Sequence, residues 1–259
     1  MNESFLIVGL GSIGKRHLEC LRQIKPNAEI TVWRQHSHAS KIPQGADSVV
    51  FSLEGALERK PLAAIISNPA PLHVDTGKAL AAHGIHLLME KPLSHSKDGI
   101  DQLLTICSEQ QCVLMVAYVL RFNEALCCFK KAIQDGLLGR VVSVRSELGQ
   151  YLPDWRPAMD YRLSVSAKEN LGGGALLELS HELDYMRWIF GDVLSVRARI
   201  EKTGLLEIDT DDLVELTLEM KGGNGERIIS NVHLDMIQRV AHRSCKAIGD
   251  KGLLEWDAI

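Results

Sequence analysis

Six short apolar runs, separated by stretches of helical periodicity, fill residues 4–120, and this alternation narrows the available folds more than any other feature. The runs are Phe5–Gly9, Glu29–Trp33, Ser48–Phe51, Ala63–Ser67, Ile85–Met89 and Val113–Ala117. Helix-like spacing of apolar residues lies between them, over 13–24, 53–59, 72–83 and 96–110. Strands alternating with helices imply βαβ crossovers and a parallel sheet covered on both faces. The runs lack a period of two, as strands buried on both sides do. The expected fold of this half is α/β, a doubly wound Rossmann sheet.

Beyond residue 120 the pattern changes. A helix over 123–135 precedes Val141–Leu148, where Val142, Val144, Ser146 and Leu148 alternate with polar neighbours. Val214, Leu216, Leu218 and Met220 repeat that alternation, and Gly222-Gly223-Asn224-Gly225 turns the chain into Arg227–Leu234 as a hairpin. Arg239–Ile248 and Leu253–Trp256 read as further strands, and a long helix over 174–190 ends at Gly191. One-sided strands without intervening helices form mainly antiparallel sheets. The expected division is therefore 1–120, the doubly wound α/β domain, and 121–259, an α+β domain with a mainly antiparallel sheet.

Composition removes several function classes. Apolar residues make up 46% of the 259, enough for packed cores, so disorder is excluded as the main state. A net charge of −4 and a pI near 6.2 leave no basic footprint for nucleic acid. No apolar stretch reaches the length of about 18 residues that a membrane helix needs. The six cysteines show neither ligand-like spacing nor a dense framework, and the N-terminus lacks a signal core. A reduced, cytoplasmic protein is expected.

The first run leads into Gly9-Leu10-Gly11-Ser12-Ile13-Gly14, a G-x-G-x-x-G at a strand-to-helix junction. Gly9 suits the tight turn, Gly11 the approach of a pyrophosphate, and Gly14 close helix–sheet packing. The amides opening the helix, those of Ser12 and Ile13 included, would bind the anion. An acidic residue about 20 positions on would accept hydrogen bonds from the ribose of NAD. That count lands on Arg34, and no Asp or Glu occurs between Glu29 and Asp47. Arg34, with His36, Ser37 or His38, would instead neutralise a 2′-phosphate, so NADP is expected over NAD.

Ligands of open parallel sheets bind beyond the carboxyl ends of the strands. Two loops there are distinctive: Asn68-Pro69 with His73, and Glu90-Lys91-Pro92. A lysine beside a cationic nicotinamide would lose its proton more readily and suit proton transfer with a substrate hydroxyl. In the second half, Gly172-Gly173-Gly174 opens a helix on which Glu178, His181, Glu182 and Tyr185 fall on one face. A histidine beside a carboxylate is an acid–base pair. Glu178-x-x-His181 also resembles half of a di-metal helix motif, but no second copy exists, so no metal centre is expected.

These motifs, with Arg121-Phe122-Asn123, occur in the order seen in the Gfo/Idh/MocA oxidoreductases, which the chain resembles over nearly its whole length. The resemblance implies hydride transfer between a nicotinamide and a hydroxyl- or carbonyl-bearing carbon of a sugar, sugar nucleotide or cyclitol. It implies roles for Lys91 near nicotinamide and substrate and for His181 as acid–base residue. Family members often carry an aspartate four residues before that histidine; Leu177 stands there, with Glu178 one residue later. Asn68, Pro69, His73, Glu90 and Lys91 are the expected cofactor neighbours. The segment Trp155-Arg156-Pro157 to Ser166 looks like a branch acting on surface-polysaccharide and nonulosonic-acid sugars. Arg121, Arg156, Tyr161 and Arg162 are the expected substrate contacts, and Lys168 adds a donor. The resemblance also implies a homo-oligomer, dimer or tetramer, built through the second sheet. Family chains commonly run past the position of Trp256–Ile259, so a shortened substrate domain is expected. Two other readings remain: a cofactor-retaining hydrolase or lyase, and a non-catalytic nucleotide-binding sensor.

Overall fold

The computed structural model describes residues 3–34, 41–223 and 225–258. His36, Ser37, His38 and Asn224 lie outside the described residues. The chain divides into two compact units, one up to Ala117 and one from Tyr118 onward.

In the first unit the chain runs β1 (Ser4–Val8), α1 (Ser12–Ile24), β2 (Glu29–Trp33), β3 (Ser48–Val50), α2 (Leu53–Glu58) and β4 (Ala63–Ile66). It continues through α3 (His73–Ala81), β5 (His86–Met89), α4 (Ile100–Glu109) and β6 (Leu114–Val116). All neighbouring strands are parallel, in the order β3-β2-β1-β4-β5-β6. The absence of alternation in the apolar runs has its cause here, because the sheet is covered twice. Ile7, Ile30 and Val32 pack with Leu18 of α1 on one side. Leu6, Val8, Ile66 and Met89 pack with Leu80 of α3 and Leu103 of α4 on the other. The winding direction reverses between β1 and β4, which opens a crevice beyond their carboxyl ends.

The second unit contains α5 (Glu124–Gln134), β7 (Val141–Gly149), α6 (Ala175–Glu178), α7 (His181–Phe190) and β8 (Asp192–Glu201). Strands β9 (Leu213–Lys221), β10 (Arg227–Asp235), β11 (His242–Gly249) and β12 (Gly252–Asp257) follow. Asn123 caps α5 by accepting from the Leu126 amide. The sheet order is β12-β11-β7-β10-β9-β8, antiparallel except for β7 with β10. The expected hairpin is β9–β10, with Met220 opposite Ile228 and Val214 opposite Leu234. Those side chains join the core under the helices. Glu215, Thr217 and Asn231 alternate onto the opposite, uncovered face.

Three expectations need correction. Val142 is exposed, whereas Val141 is buried, because the β7–β11 register shifts opposite Ile248 and Gly249 and reverses the alternation there. Strand β8 was not expected; it is exposed along nearly its whole length at the sheet edge. The helix over 174–190 is two helices, α6 and α7, separated at Leu179 and Ser180.

Candidate functional site

At the carboxyl end of β1, Gly9 adopts φ +84°, and a Cβ there would stand 2.9 Å from the backbone of Ser67 and Asn68. The Ser67 hydroxyl holds this crossing by donating to the carbonyls of Val8 and Gly9 at 2.9 and 3.1 Å. A Cβ on Gly14 would overlap the Gly9 carbonyl oxygen, so this glycine sets the contact between α1 and the turn. Gly11 is different: a Cβ would meet nothing within 4 Å. Gly11 is also the N-cap of α1, with no side-chain cap and no acidic residue in the first turn. The amides of Ser12, Ile13 and Gly14 open the helix where intrahelical acceptors do not exist. An uncapped, partly positive helix end facing open space fits a dinucleotide pyrophosphate. Arg34 follows β2 directly, and its amide donates to the Val50 carbonyl.

The two distinctive loops follow β4 and β5 and touch each other. The His73 ring bridges them, with Nε2 2.8 Å from the Asn68 carbonyl and Nδ1 2.9 Å from the Pro92 carbonyl. The Asn68 amide donates to the Thr76 hydroxyl, so Asn68 and Pro69 lead into α3 in a fixed setting. The Lys91–Pro92 peptide is cis. Glu90 is buried, and its Oε2 accepts from the Lys91 amide at 3.1 Å. Its Oε1 lies 2.6 Å from Nε2 of His17 on α1. Burial alone would push the Glu90 carboxyl up; the His17 ring, the Lys91 amide and the Lys91 charge outweigh it and hold the carboxyl below its usual value. His17 was not a candidate from sequence. The signal that finds it is its place one turn after Gly14, on the side of α1 that meets the sheet.

In the second unit, Glu178, His181, Glu182 and Tyr185 do not share one working face. Glu182 and Tyr185 are fully buried and turn toward the sheet. Arg243 of β11 donates through Nε to Glu182 at 2.7 Å, and the Tyr185 hydroxyl meets Ser146 of β7 at 2.6 Å. Glu178 and His181 stay half-buried on either side of the interruption. The His181 ring stands edge-to-face with Tyr118, with centroids 5.6 Å apart. Burial pushes the Tyr118 hydroxyl above its usual value. Gly173 and Gly174 of the glycine run lie against the chain itself. A Cβ on Gly173 would overlap the Val165 carbonyl, and Gly174, at φ +104°, faces the Asp211 carboxylate. Asp211 starts α6 by accepting from the amides of Ala175 and Leu176.

The expected substrate contacts fall into two groups. Arg121 is held by Asp184 through two hydrogen bonds of 2.9 and 2.7 Å. Arg162 pairs with Asp160 and Glu207, and both raise its pKa further. Their guanidinium groups are therefore engaged with carboxylates of the chain. Arg156 and Tyr161 line a shallow recess open to solvent, with Leu152, Trp155, Ser164 and Ser166. The Tyr161 hydroxyl accepts from the Glu207 amide. Among the described residues, no group of three His, Cys, Asp or Glu could hold a metal ion, and no helix is long and apolar enough to cross a membrane.

Comparison with known proteins follows the same division. Residues 4–118 match the family model described as oxidoreductase family, NAD-binding Rossmann fold, and residues 128–255 match the GFO/IDH/MocA C-terminal domain. The chain is 32% identical to a levoglucosan dehydrogenase of Pseudarthrobacter phenanthrenivorans over 51% of its own length and 34% of that protein. It is 24% identical to a 2,7-anhydro-N-acetylneuraminate hydratase of Mediterraneibacter gnavus over 83% of its length and 58% of the relative. The chain thus spans between one third and three fifths of these relatives. In fold it is similar to the WlbA dehydrogenase of Bordetella pertussis, solved with NADH and UDP-GlcNAcA. The TM-score is 0.86 at 24% identity, covering 100% of this chain and 79% of that one. With both of its units matched, the chain belongs to the GFO/IDH/MocA oxidoreductase family, and its first unit is that family's NAD-binding Rossmann domain.

Proposed function

We propose that the protein is a nicotinamide-dependent oxidoreductase acting on a CH–OH or carbonyl carbon of a sugar, sugar nucleotide or cyclitol. The observation that carries this reading is the uncapped amino end of α1, with open space at Gly11, beside the loop that presents Lys91. A bound nicotinamide dinucleotide supplies or accepts the hydride. The α1 amides neutralise its pyrophosphate, and Gly11 leaves room for it. Lys91 moves a proton to or from the reacting hydroxyl, and His181, steadied by the Tyr118 ring, serves as the second acid–base group. Glu178 lies beside His181 in sequence but on the preceding helix, and its part is to tune that histidine. Arg156 and Tyr161 contact the substrate from the recess.

Arg34 at the end of β2, with no carboxylate before Asp47, supports NADP(H) over NAD(H). The uncovered face of the second sheet supports assembly of a homo-oligomer. The test is nicotinamide absorbance over a panel of free and nucleotide-linked sugars with either cofactor. Lys91→Ala should lower turnover on the order of a hundredfold or more while keeping cofactor affinity. Full turnover in that variant would refute the proton role. Turnover of the wild-type protein with retained cofactor and no net absorbance change would move the reading to a transient oxidation that serves elimination or hydration.

A further inference from the structure

Two histidines to which the proposed reaction gives no proton-transfer role bracket Lys91. From α1, His17 reaches the carboxylate of Glu90, the residue before Lys91. From α3, His73 reaches the carbonyl of Pro92, the residue after it. A loop beyond a strand end is ordinarily the mobile part of a sheet. Here both neighbours of the reactive lysine are tied to helices. We infer that His17 and His73 are positioning residues for Lys91, His17 by sharing the Glu90 carboxylate with the Lys91 amide and His73 by fixing Pro92. This inference rests on the reading of Lys91 as the proton-transfer residue.

Packing alone does not account for the arrangement, since apolar side chains fill such a place at no desolvation cost. The Glu90 carboxylate divides its oxygens: Oε1 faces His17, and Oε2 accepts from the Lys91 amide. The Lys91 charge also acts on this carboxylate. Whatever negative charge His17 engages is therefore withdrawn from Lys91. Removing the His17 donor leaves the whole Glu90 carboxylate to draw the Lys91 amine into an ion pair. Removing the charge of Glu90 does the opposite. Two substitutions at one contact should thus drive Lys91 in opposite directions, which a loss of packing does not do.

The experiment measures the rate of Lys91 acetylation by acetic anhydride at fixed pH in the full chain, by peptide mass spectrometry against the other lysines. NADH affinity is measured in parallel. His17→Ala should slow Lys91 labelling by about threefold or more and Glu90→Gln should speed it by a similar factor. His17→Gln, which keeps a donor, should return it to within about twofold of wild type. His73→Ala should raise amide deuterium exchange over residues 90–93. Should His17→Ala fail to fold, Glu90→Gln and His17→Gln decide. Unchanged labelling in Glu90→Gln, or shifts of the same sign in Glu90→Gln and His17→Ala, overturns the inference. If the wild-type chain binds no NADH, the hydride reading fails, while the labelling ratios still decide the positioning roles.

Discussion

Gly11 and Gly14 stand three residues apart and should fail for different reasons when replaced. A Cβ on Gly14 runs into the Gly9 carbonyl, so Gly14→Ala is expected to cost about 1–3 kcal/mol of stability in urea unfolding. Gly11 has open space and an ordinary negative φ of −71°. Gly11→Leu should leave stability within about 0.5 kcal/mol of wild type. It should still weaken NADH binding on the order of a hundredfold, about 2.7 kcal/mol, by fluorescence titration. A second residue prediction concerns His233 on β10. Its ring lies between Asp235 at 2.9 Å and Glu215 at 2.6 Å, and first Asp235, then Glu215, raise its pKa from 6.5 to about 9. The folded value exceeds the unfolded one, so its stabilisation is complete below 6.5 and disappears as the pH rises through about 9. The stability difference between wild type and His233→Asn should follow that course in denaturation at a series of pH values. At this scale the tight turn at Gly9 and the close packing at Gly14 were legible because their spacing is local. The His17–Glu90 contact was not, since its partners lie 73 residues apart and meet only when α1 lies against the sheet.

Strands and helices were legible wherever burial imposed a period. The six parallel strands were found within a residue or two because the sheet they form is covered on both faces, even though the edge strand β6 is only partly buried. The hairpin β9–β10 was found because it is buried on one face. Strand β8 carries the same alternation, Val196-Arg197-Ala198-Arg199-Ile200, which is the signal that finds it. The break between α6 and α7 leaves the apolar period intact, with Ala175, Leu179, Met186 and Phe190 all buried, so periodicity reads through it. What it hides is that Glu182 belongs to the buried side and clamps α7 to β11. Glu182→Ala would leave the Arg243 guanidinium, largely enclosed, without its carboxylate and should cost about 3–5 kcal/mol in urea unfolding. Glu182→Leu combined with Arg243→Met should recover most of that loss. Recovery no better than the sum of the single variants would show that the pair is not the clamp.

Over the whole molecule, the two units keep separate hydrophobic cores. The apolar period changes near residue 120 in the sequence, since two-sided and one-sided sheets leave different patterns. A dinucleotide bound to the first unit stabilises that unit by mass action, by about 2.7 kcal/mol at a hundredfold excess over Kd. Calorimetry with NADH should therefore raise the unfolding transition of the first unit. The Gly11→Leu protein should show no such rise.

In the proposed reaction the amino end of α1 receives the dinucleotide pyrophosphate. Residue-resolved amide exchange at Ser12, Ile13 and Gly14, with and without saturating NADH, tests it most directly. These amides lack intrahelical acceptors in the free protein and should exchange freely, then become protected when phosphate oxygens accept from them. Saturable NADH binding that leaves their exchange unchanged would contradict the account.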